Sequence, residues 1–265
     1  MNERDSFSQT RQEQSQTWLE RLRLIDDEFF SEALDGKIEA VQYIIDIILE
    51  RTDLRVISVQ AQASYKNTTR RSIRLDIRAE MQNGQIADIE IQRADAGSGA
   101  RRARFYNGMI DRTLLNQGAD FQELPDIYII FITENDKYGC GAPLYHVERT
   151  VCEAGQTLYG DGAHIIYVNG QFRNIQHPVG RLMHDFFCTR AEDMLSPVLA
   201  AEVRYLKETE RGQGQMSRIM EEVMHNDRVE TARQMLAEGD SPEKVSRCTR
   251  LPLEEVQELA GEKSA

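Results

Sequence analysis

The segment between residues 72 and 93 constrains the fold most, because it holds two alternating stretches separated by a turn. Residues 72–81 and 85–93 alternate apolar and polar side chains, which predicts two strands. Asn83-Gly84 between them predicts a hairpin. The odd-numbered positions carry the apolar side chains: Ile73, Leu75, Ile77, Ala79, Ile89 and Ile91. Arginines and acids occupy the even-numbered positions, so the hairpin has one apolar face and one polar face.

Two loop lengths are compatible with this turn, and they differ in which residues face each other. A two-residue loop, Asn83-Gly84, places Asp76 opposite Ile91 and mixes the two faces. A three-residue loop from Gln82 to Gly84, with the glycine in the left-handed conformation, places Asp76 opposite Glu90 and keeps the faces separate. Because burial of one face sets the register, we predict the three-residue loop. A bulge elsewhere would give the same register by another route.

The paired acids suggest a metal site. Directly paired residues have Cβ atoms roughly 4.5–5.5 Å apart, so the carboxylates of Asp76 and Glu90 could share a hard divalent cation. The net charge of −12 argues against a nucleic-acid partner, but the charge is uneven. Between Arg55 and Arg112 there are 11 Lys/Arg and 6 Asp/Glu. A basic segment around two acids favours a metal site that acts on phosphate; the alternative is a chance excess of arginine on a solvated sheet.

The remaining pattern predicts an α/β sandwich with a mixed sheet. Residues 37–51 carry apolar side chains at helical spacing, and 100–115 form a second helix with a basic start at Arg101, Arg102 and Arg104. The element order is helix, three strands, helix, strand, with more strands after. The predicted strands are residues 56–63, 72–81, 85–93, 126–132, 144–151 and 163–168.

The C-terminal part is predicted to be helical and acidic. Residues 193–207 and 215–236 predict long helices joined by a hinge at Gly212-Gln213-Gly214. Ser241-Pro242 predicts a helix start, with serine as the cap and proline at the first helical position. A short helix at 253–260 completes a pair that resembles a helix-turn-helix, although its acidic second helix favours a packing hairpin.

These patterns divide the chain into three predicted parts: an N-terminal arm at 1–30, a core at 31–188 and a helical region at 189–265. The chain begins with polar residues, and its most apolar stretches, 41–49 and 127–132, are too short to span a bilayer. The four cysteines form no CxxC pattern, and the five histidines show no metal-ligand spacing. We therefore expect a cytoplasmic chain with reduced thiols and no membrane partner.

Several segments carry a resemblance to a known family. The arrangement Asp76 … Glu90-x-Gln92 on the second and third strands of a helix-led sheet looks like the PD-(D/E)xK nuclease superfamily. The chain is more closely similar to the nuclease-family transposases related to the recombination-promoting nucleases. This resemblance covers roughly residues 25–210 and rests on IRLDIRAEMQNGQIADIEIQRAD, GARRARFYNGMIDRTLL, LPDIYIIFITENDKYGCGAPLYHVER and DGAHIIYVNG.

The resemblance implies a restriction-endonuclease-like core and cleavage of DNA phosphodiester bonds that depends on Mg²⁺, with Mn²⁺ as an alternative ion. Asp76 and Glu90 would bind the metal, together with the backbone carbonyl of Ile91. Gln92 stands where most of the superfamily has lysine, so it would orient the nucleophile by hydrogen bonding without supplying charge. Candidate phosphate contacts are Arg74, Arg101 and Arg104, and Glu39 on the first helix is a candidate additional acid.

Two functions follow, from different classes. The first is a metal-dependent DNA endonuclease of the transposase-like, recombination-promoting kind. The second is a catalytically weak or inactive nuclease-fold protein that acts as a DNA-binding or protein-interaction module, which Gln92 and the acidic bulk of the chain motivate. Cleavage of both DNA strands would require two sites, which is compatible with a homodimer.

Overall fold

The structure is a computed structural model, and it describes residues 17–65, 72–93 and 98–261. The chain divides into two compact units, Trp18–Thr209 and a second unit that contains Glu210–Ala265. The division falls after Thr209, C-terminal to the boundary predicted at residue 188. Among the described residues, no helix is both long and apolar enough to cross a membrane.

The larger unit is a mixed α/β fold, as predicted. It contains helices α1 (Asp27–Leu34) and α2 (Ile38–Ile48), followed by strands β1 (Val56–Tyr65), β2 (Ile73–Met81) and β3 (Ile86–Gln92). Helix α3 (Ala100–Leu114) then leads to β4 (Ile127–Thr133). Further strands and α-helices of this unit are β5 (Leu144–Val147), β6 (Thr150–Val151), β7 (Thr157–Leu158), β8 (Ala163–Asn169), α4 (Pro178–Phe187) and α5 (Pro197–Glu208).

Six strands form the main sheet in the order β1-β2-β3-β4-β8-β5. The pairs β1–β2 and β2–β3 are antiparallel, β3–β4 and β4–β8 are parallel, and β5 runs antiparallel to β8. Every residue of β4 is buried, which explains its almost continuous apolar sequence, since a central parallel strand is covered on both faces. The sequence therefore predicted the order of the core elements correctly.

Helices cover the sheet. The apolar side of α3 packs into a core cluster with alternate residues of the central strands, including Ile86, Ile129 and Phe131. Helices α1 and α2 pack against β1 and β2, and α1 buries Phe29, Phe30 and Leu34 completely. Leu24 and Ile25 are also buried, so the segment before α1 belongs to the packed core.

Two local predictions are wrong, and one helix was not predicted. The single strand at 144–151 is two strands, because β5 belongs to the main sheet while β6 pairs with β7 in a separate hairpin. The helix α4 was missed, and its first turn contains Pro178 next to the capping side chain of His177. The hinge at Gly212–Gly214 lies inside one continuous helix, α6 (Glu210–Ala237), because the neighbouring helix-forming residues outweigh two glycines.

The second unit continues from α6 with α7 (Pro242–Thr249) and α8 (Leu253–Gly261). Ser241 caps α7 by accepting a hydrogen bond from the backbone N–H of Lys244, with Pro242 at the first helical position, as predicted. Ala232, Val245, Leu251 and Val256 form a small apolar cluster. This cluster joins the three helices, so the helix pair predicted at 241–260 packs onto α6.

Candidate nuclease active site

The hairpin between β2 and β3 has the predicted three-residue loop. Gly84 has a left-handed backbone with φ +84°, and the N–H of Met81 donates a hydrogen bond to the carbonyl of Gln85 at 2.9 Å. The ladder pairs Ile77 with Ile89 and Arg78 with Asp88. This is the register in which Asp76 and Glu90 are opposite each other.

Asp76 and Glu90 meet at the end of this ladder and replace its backbone hydrogen bonds with side-chain ones. The N–H of Asp76 donates to Oε1 of Glu90 at 3.1 Å, and the N–H of Ile91 donates to Oδ2 of Asp76 at 2.9 Å. Each carboxylate therefore lies against the backbone of the other acid's strand, which holds the two acids together.

The regular pairing of β2 with β1 is interrupted at Asp76. The β1–β2 ladder pairs Ala61 with Ile77 and Ala63 with Leu75 but skips the pair formed by Gln62 and Asp76. Gln62 has a left-handed backbone, φ +54°, which few residues other than glycine adopt. Leu75 belongs to the cluster that α3 covers, whereas Ile77 does not. The prediction that residues 73–79 keep their apolar side chains on one face is therefore wrong, because the irregularity at Gln62 and Asp76 interrupts the alternation.

The polar face of β3 is covered rather than solvated. The alternation suggested that Asp88 and Glu90 point outward, but both are completely buried. Helix α3 lies over them, and Nη2 of Arg102 forms an ion pair with Oε2 of Glu90 at 2.6 Å. Arg102 also donates from Nη1 to Oε1 of Gln92 at 3.3 Å and lies over the ring of Tyr106.

Burial and mutual repulsion raise the pKa values of these acids. The pKa of Asp76 rises from the ordinary 3.8 to about 8, because of burial first and then the nearby carboxylates of Glu90 and Asp27. Burial also raises the pKa of Glu90, although the Arg102 guanidinium opposes that effect. The pKa of Asp88 lies well above its ordinary value, again because of burial and the charges of Glu90 and Asp76. A group of buried acids with raised pKa values in one place is typical of a functional site.

Asp88 has no protein donor for either carboxylate oxygen among the described residues, although both oxygens are buried. A hydrogen bond between Asp88 and Glu90 requires that one of these acids is protonated, since two carboxylates offer only acceptors. A buried carboxylate without a donor costs stability in the absence of a compensating charge. The cluster of Asp76, Asp88 and Glu90 therefore carries more negative charge than Arg102 alone can neutralise.

A further acid lies beside Asp76 at the start of α1. Asp27, whose residue surface is exposed, raises the pKa of Asp76 through its charge, and desolvation raises its own pKa. Asp26 immediately before it is held by Arg23 and by Nη1 of Arg93, the latter at 3.0 Å. Since Arg93 follows Gln92 at the end of β3, this ion pair fixes the first turn of α1 next to the two acids.

The remaining candidate residues lie at different distances from the two acids. Gln92 lies beside the acids and is half-buried, whereas Arg101 and Arg104 are exposed on α3. Arg74 is exposed on β2, where its charge lowers the pKa of Asp27. Glu39 is exposed on α2, and no hydrogen bond or ion pair within the described part of the chain joins it to the acids.

Sequence reasoning missed Asp27, Asp88 and Arg102. The helical spacing gave one usable signal, because Arg102 precedes Tyr106 by four residues and Tyr106 belongs to the buried stripe of α3. Asp27 had no such signal, since its position depends on how α1 packs against the sheet.

The donor set fits a hard divalent cation. Carboxylate oxygens are the ligands that Mg²⁺ and Mn²⁺ prefer, and a cation would compensate the surplus charge of the buried acids, including the unpartnered oxygens of Asp88. Asp76 and Glu90 are the central candidates. The N–H of Ile91 already contacts Asp76, which places the backbone of this residue at the same point of the sheet.

A separate group of metal-ligating atoms belongs to His184, Asp185 and Cys188, all within 4.8 Å of one another. Both oxygens of Asp185 already accept hydrogen bonds, from the N–H of Leu195 at 2.7 Å and from that of Ser196 at 2.8 Å. Burial raises the pKa of the Cys188 thiol to about 11. Asp185 therefore serves to anchor the turn before α5, and this group is not a second candidate site.

The helix-led mixed sheet and the acids Asp76 and Glu90, followed by Gln92, define a protein with a PD-(D/E)XK nuclease-type core. Comparison with known families agrees: residues 41–171 match the family described as PD-(D/E)XK nuclease family transposase. The matched segment covers just under half of the chain and contains most of α2, the hairpin, α3 and β4. No curated protein and no solved structure matches the chain.

Proposed function

We propose that the protein is a metal-dependent DNA endonuclease that hydrolyses phosphodiester bonds, of the transposase-like, recombination-promoting kind. The observation that carries this proposal is the meeting of Asp76 and Glu90 at the irregular point of the sheet. Asp76 and Glu90 would hold Mg²⁺ or Mn²⁺ together with the backbone carbonyl of Ile91. The ion would polarise the scissile phosphoryl group and lower the pKa of the attacking water.

The chain's own residues would bind and orient DNA around these acids. Gln92 lies at the edge of the acidic cluster, where its side chain can orient the attacking water by hydrogen bonding. Arg101 and Arg104, exposed on α3, and Arg74 on β2 are proposed to bind DNA phosphates. A homodimer would supply the two sites needed to cut both strands, and the four free cysteines support a reducing, cytoplasmic environment.

Plasmid nicking in Mg²⁺ tests the proposal. We expect Asp76→Ala and Glu90→Ala to abolish nicking, while Asp53→Ala, which removes an exposed acid paired with Arg51, leaves it unchanged. Glu39→Gln and Asp27→Asn in the same assay decide which of these acids contributes. Unchanged nicking in both the Asp76 and Glu90 variants would contradict the proposal, because it would place the activity elsewhere.

One observation favours a second function, a DNA-binding or protein-interaction module without strong catalysis. Both oxygens of Glu90 are engaged, by the N–H of Asp76 and by Arg102, and the side chain is fully buried. A metal ion would have to compete with these partners. Salt-sensitive DNA binding without cleavage in either Mg²⁺ or Mn²⁺ would support this second function.

A further inference from the structure

The contact with Arg102 orients the side-chain amide of Gln92. Arg102 offers only hydrogen-bond donors, so the Gln92 atom that it contacts at 3.3 Å must be the carbonyl oxygen Oε1. The amide group Nε2 is then directed away from Arg102. Within the described residues Nε2 donates no hydrogen bond, and this is the donor that the inference assigns to a ligand.

Arg102 also places a permanent positive charge next to the Nε2 donor of Gln92. It spans Glu90 and Gln92, the second acid and the position two residues further along β3, with contacts of 2.6 Å and 3.3 Å. Its side chain is about one-third exposed, in contrast to the buried carboxylate that it binds. The ring of Tyr106, 4.9 Å from the guanidinium carbon to the ring centroid, supports it from the same helix.

We infer that Arg102 and Gln92 act together as a composite phosphate-binding group, in which Arg102 supplies the positive charge and fixes the glutamine amide. One of the two N–H groups of the amide then donates to a phosphate oxygen, and the other can orient the attacking water. A lysine at position 92 would combine charge and donor in one side chain; here two side chains from β3 and α3 share these tasks. This inference rests on the proposed function for its substrate, and it makes Arg102 a positioning residue for both Glu90 and Gln92.

The experiment measures two quantities: the cleavage rate in Mg²⁺ at saturating DNA, and the binding of a duplex oligonucleotide in Ca²⁺ as a function of salt. We expect Arg102→Ala to lower the cleavage rate on the order of 100-fold, the size of effect that loss of one stabilising donor has in other sites. In Ca²⁺ it should reduce the salt dependence of binding by about one phosphate contact.

Two further variants separate the inferred role from simple support of the fold. Gln92→Glu keeps an acceptor for Arg102 but removes the donor, so we expect it to fold normally and to lose cleavage as severely as Arg102→Ala. Gln92→Lys combined with Arg102→Ala returns a cation to the vicinity of Glu90 and should regain most of the cleavage rate and the salt dependence. Arg112→Ala is the matched control, because it removes an exposed arginine from the last turn of the same helix.

Several outcomes would overturn the inference. Wild-type cleavage and salt dependence in Arg102→Ala would do so, as would a folded double variant that is no better than Arg102→Ala alone. If Arg102→Ala does not fold, Gln92→Glu and the double variant decide. If the wild type cuts no DNA in Mg²⁺ or Mn²⁺, the proposed endonuclease fails, and the binding measurement in Ca²⁺ alone then supports Arg102 by a reduced salt dependence or excludes it by an unchanged one.

Discussion

The backbone N–H of Asp76 donates a hydrogen bond to the carboxylate of Glu90 at 3.1 Å. This contact replaces a regular ladder hydrogen bond, because the β2–β3 pairing ends at Ile77 and Ile89. Beyond this pair, the backbone N–H groups of Asp76 and Ile91 donate to side-chain carboxylates instead of backbone carbonyls. A sheet that continued regularly past this point would have no such contacts, so the irregular backbone is what creates the candidate site.

The raised pKa of Asp76 predicts how stability depends on pH and on metal. Because the folded protein holds the Asp76 proton up to about pH 8 while an unfolded chain releases it near 3.8, the folded state binds more protons between these values. The free energy of unfolding should therefore fall as pH rises from about 4 towards 8. Divalent ions bind the deprotonated acids, so Ca²⁺ should raise the melting temperature more at about pH 8 than at about pH 5.5.

Thermal melts in EDTA and in Ca²⁺ at both pH values check this prediction. In Asp76→Asn the stabilisation by Ca²⁺ should disappear and the fall of stability with pH should become shallower. A Ca²⁺ effect of the same size in Asp76→Asn and wild type would show that the ion binds at another place.

The turn glycine makes a second prediction, about stability. Gly84 has φ +84° with open space around its Cα, so an alanine there is strained only by its backbone. We expect Gly84→Ala to lower the free energy of unfolding by about 1 kcal/mol. Gly108 in α3 also has open space but no positive φ, and Gly108→Ala should stabilise by about 0.5–1 kcal/mol.

Urea denaturation of the two variants gives the comparison directly. The opposite signs matter more than the sizes, because both substitutions add the same methyl group to the unfolded chain. If Gly84→Ala were neutral, the left-handed residue would not be needed to close the three-residue loop, and the register would depend on burial alone.

Asp27 gives a third prediction, about metal affinity. Its charge helps to raise the pKa of Asp76, and the next residue, Glu28, is an exposed acid of the same helix turn. We expect Asp27→Asn to weaken Mn²⁺ binding by about tenfold, since affinity for hard cations depends on the number of ligand charges. Glu28→Gln is the matched control and should bind Mn²⁺ like the wild type, as measured by electron paramagnetic resonance titration. Equal affinities in all three proteins would exclude Asp27 from the site.

The sequence predicted the pairing of Asp76 with Glu90 because two independent signals agreed. The apolar alternation required one face to be buried, and the Asn83-Gly84 turn allowed a loop that met this requirement. Both signals are local, within about twenty residues. The core strands β4 and β8 were equally predictable, since their apolar runs leave few alternatives.

The partners of the two acids could not be predicted in the same way. Asp88 and Glu90 alternate with isoleucine, which usually indicates a solvated face, and only the packing of α3 shows that this face is buried. Three arginines lie near the start of α3, and the sequence does not indicate which of them forms the ion pair with Glu90. The distance of Arg102 from Glu90 depends on the angle between helix and sheet. The packing of helix on sheet therefore determines these contacts, and the local sequence pattern does not.

Asp88 provides the most direct test of charge in the buried cluster. At low pH the protonated acid can donate a hydrogen bond to Glu90, whereas at high pH two carboxylates face each other without a donor between them. Asparagine has the same shape and keeps a donor at every pH. We therefore expect Asp88→Asn to raise the melting temperature in EDTA by a few degrees at about pH 8.5 and to leave it nearly unchanged at about pH 5.

The matched control is Glu80→Gln, which changes an acid on β2 that pairs with Arg78 at 3.3 Å and is partly exposed. Its effect on the melting temperature should be small and similar at both pH values, because solvent screens the charge. If Asp88→Asn instead lowered the melting temperature at about pH 8.5, the ionised carboxylate would be serving as a needed hydrogen-bond acceptor. That result would mean that a hydrogen-bond donor already stabilises the negative charge of Asp88. The case for a compensating metal ion at Asp76 and Glu90 would then weaken.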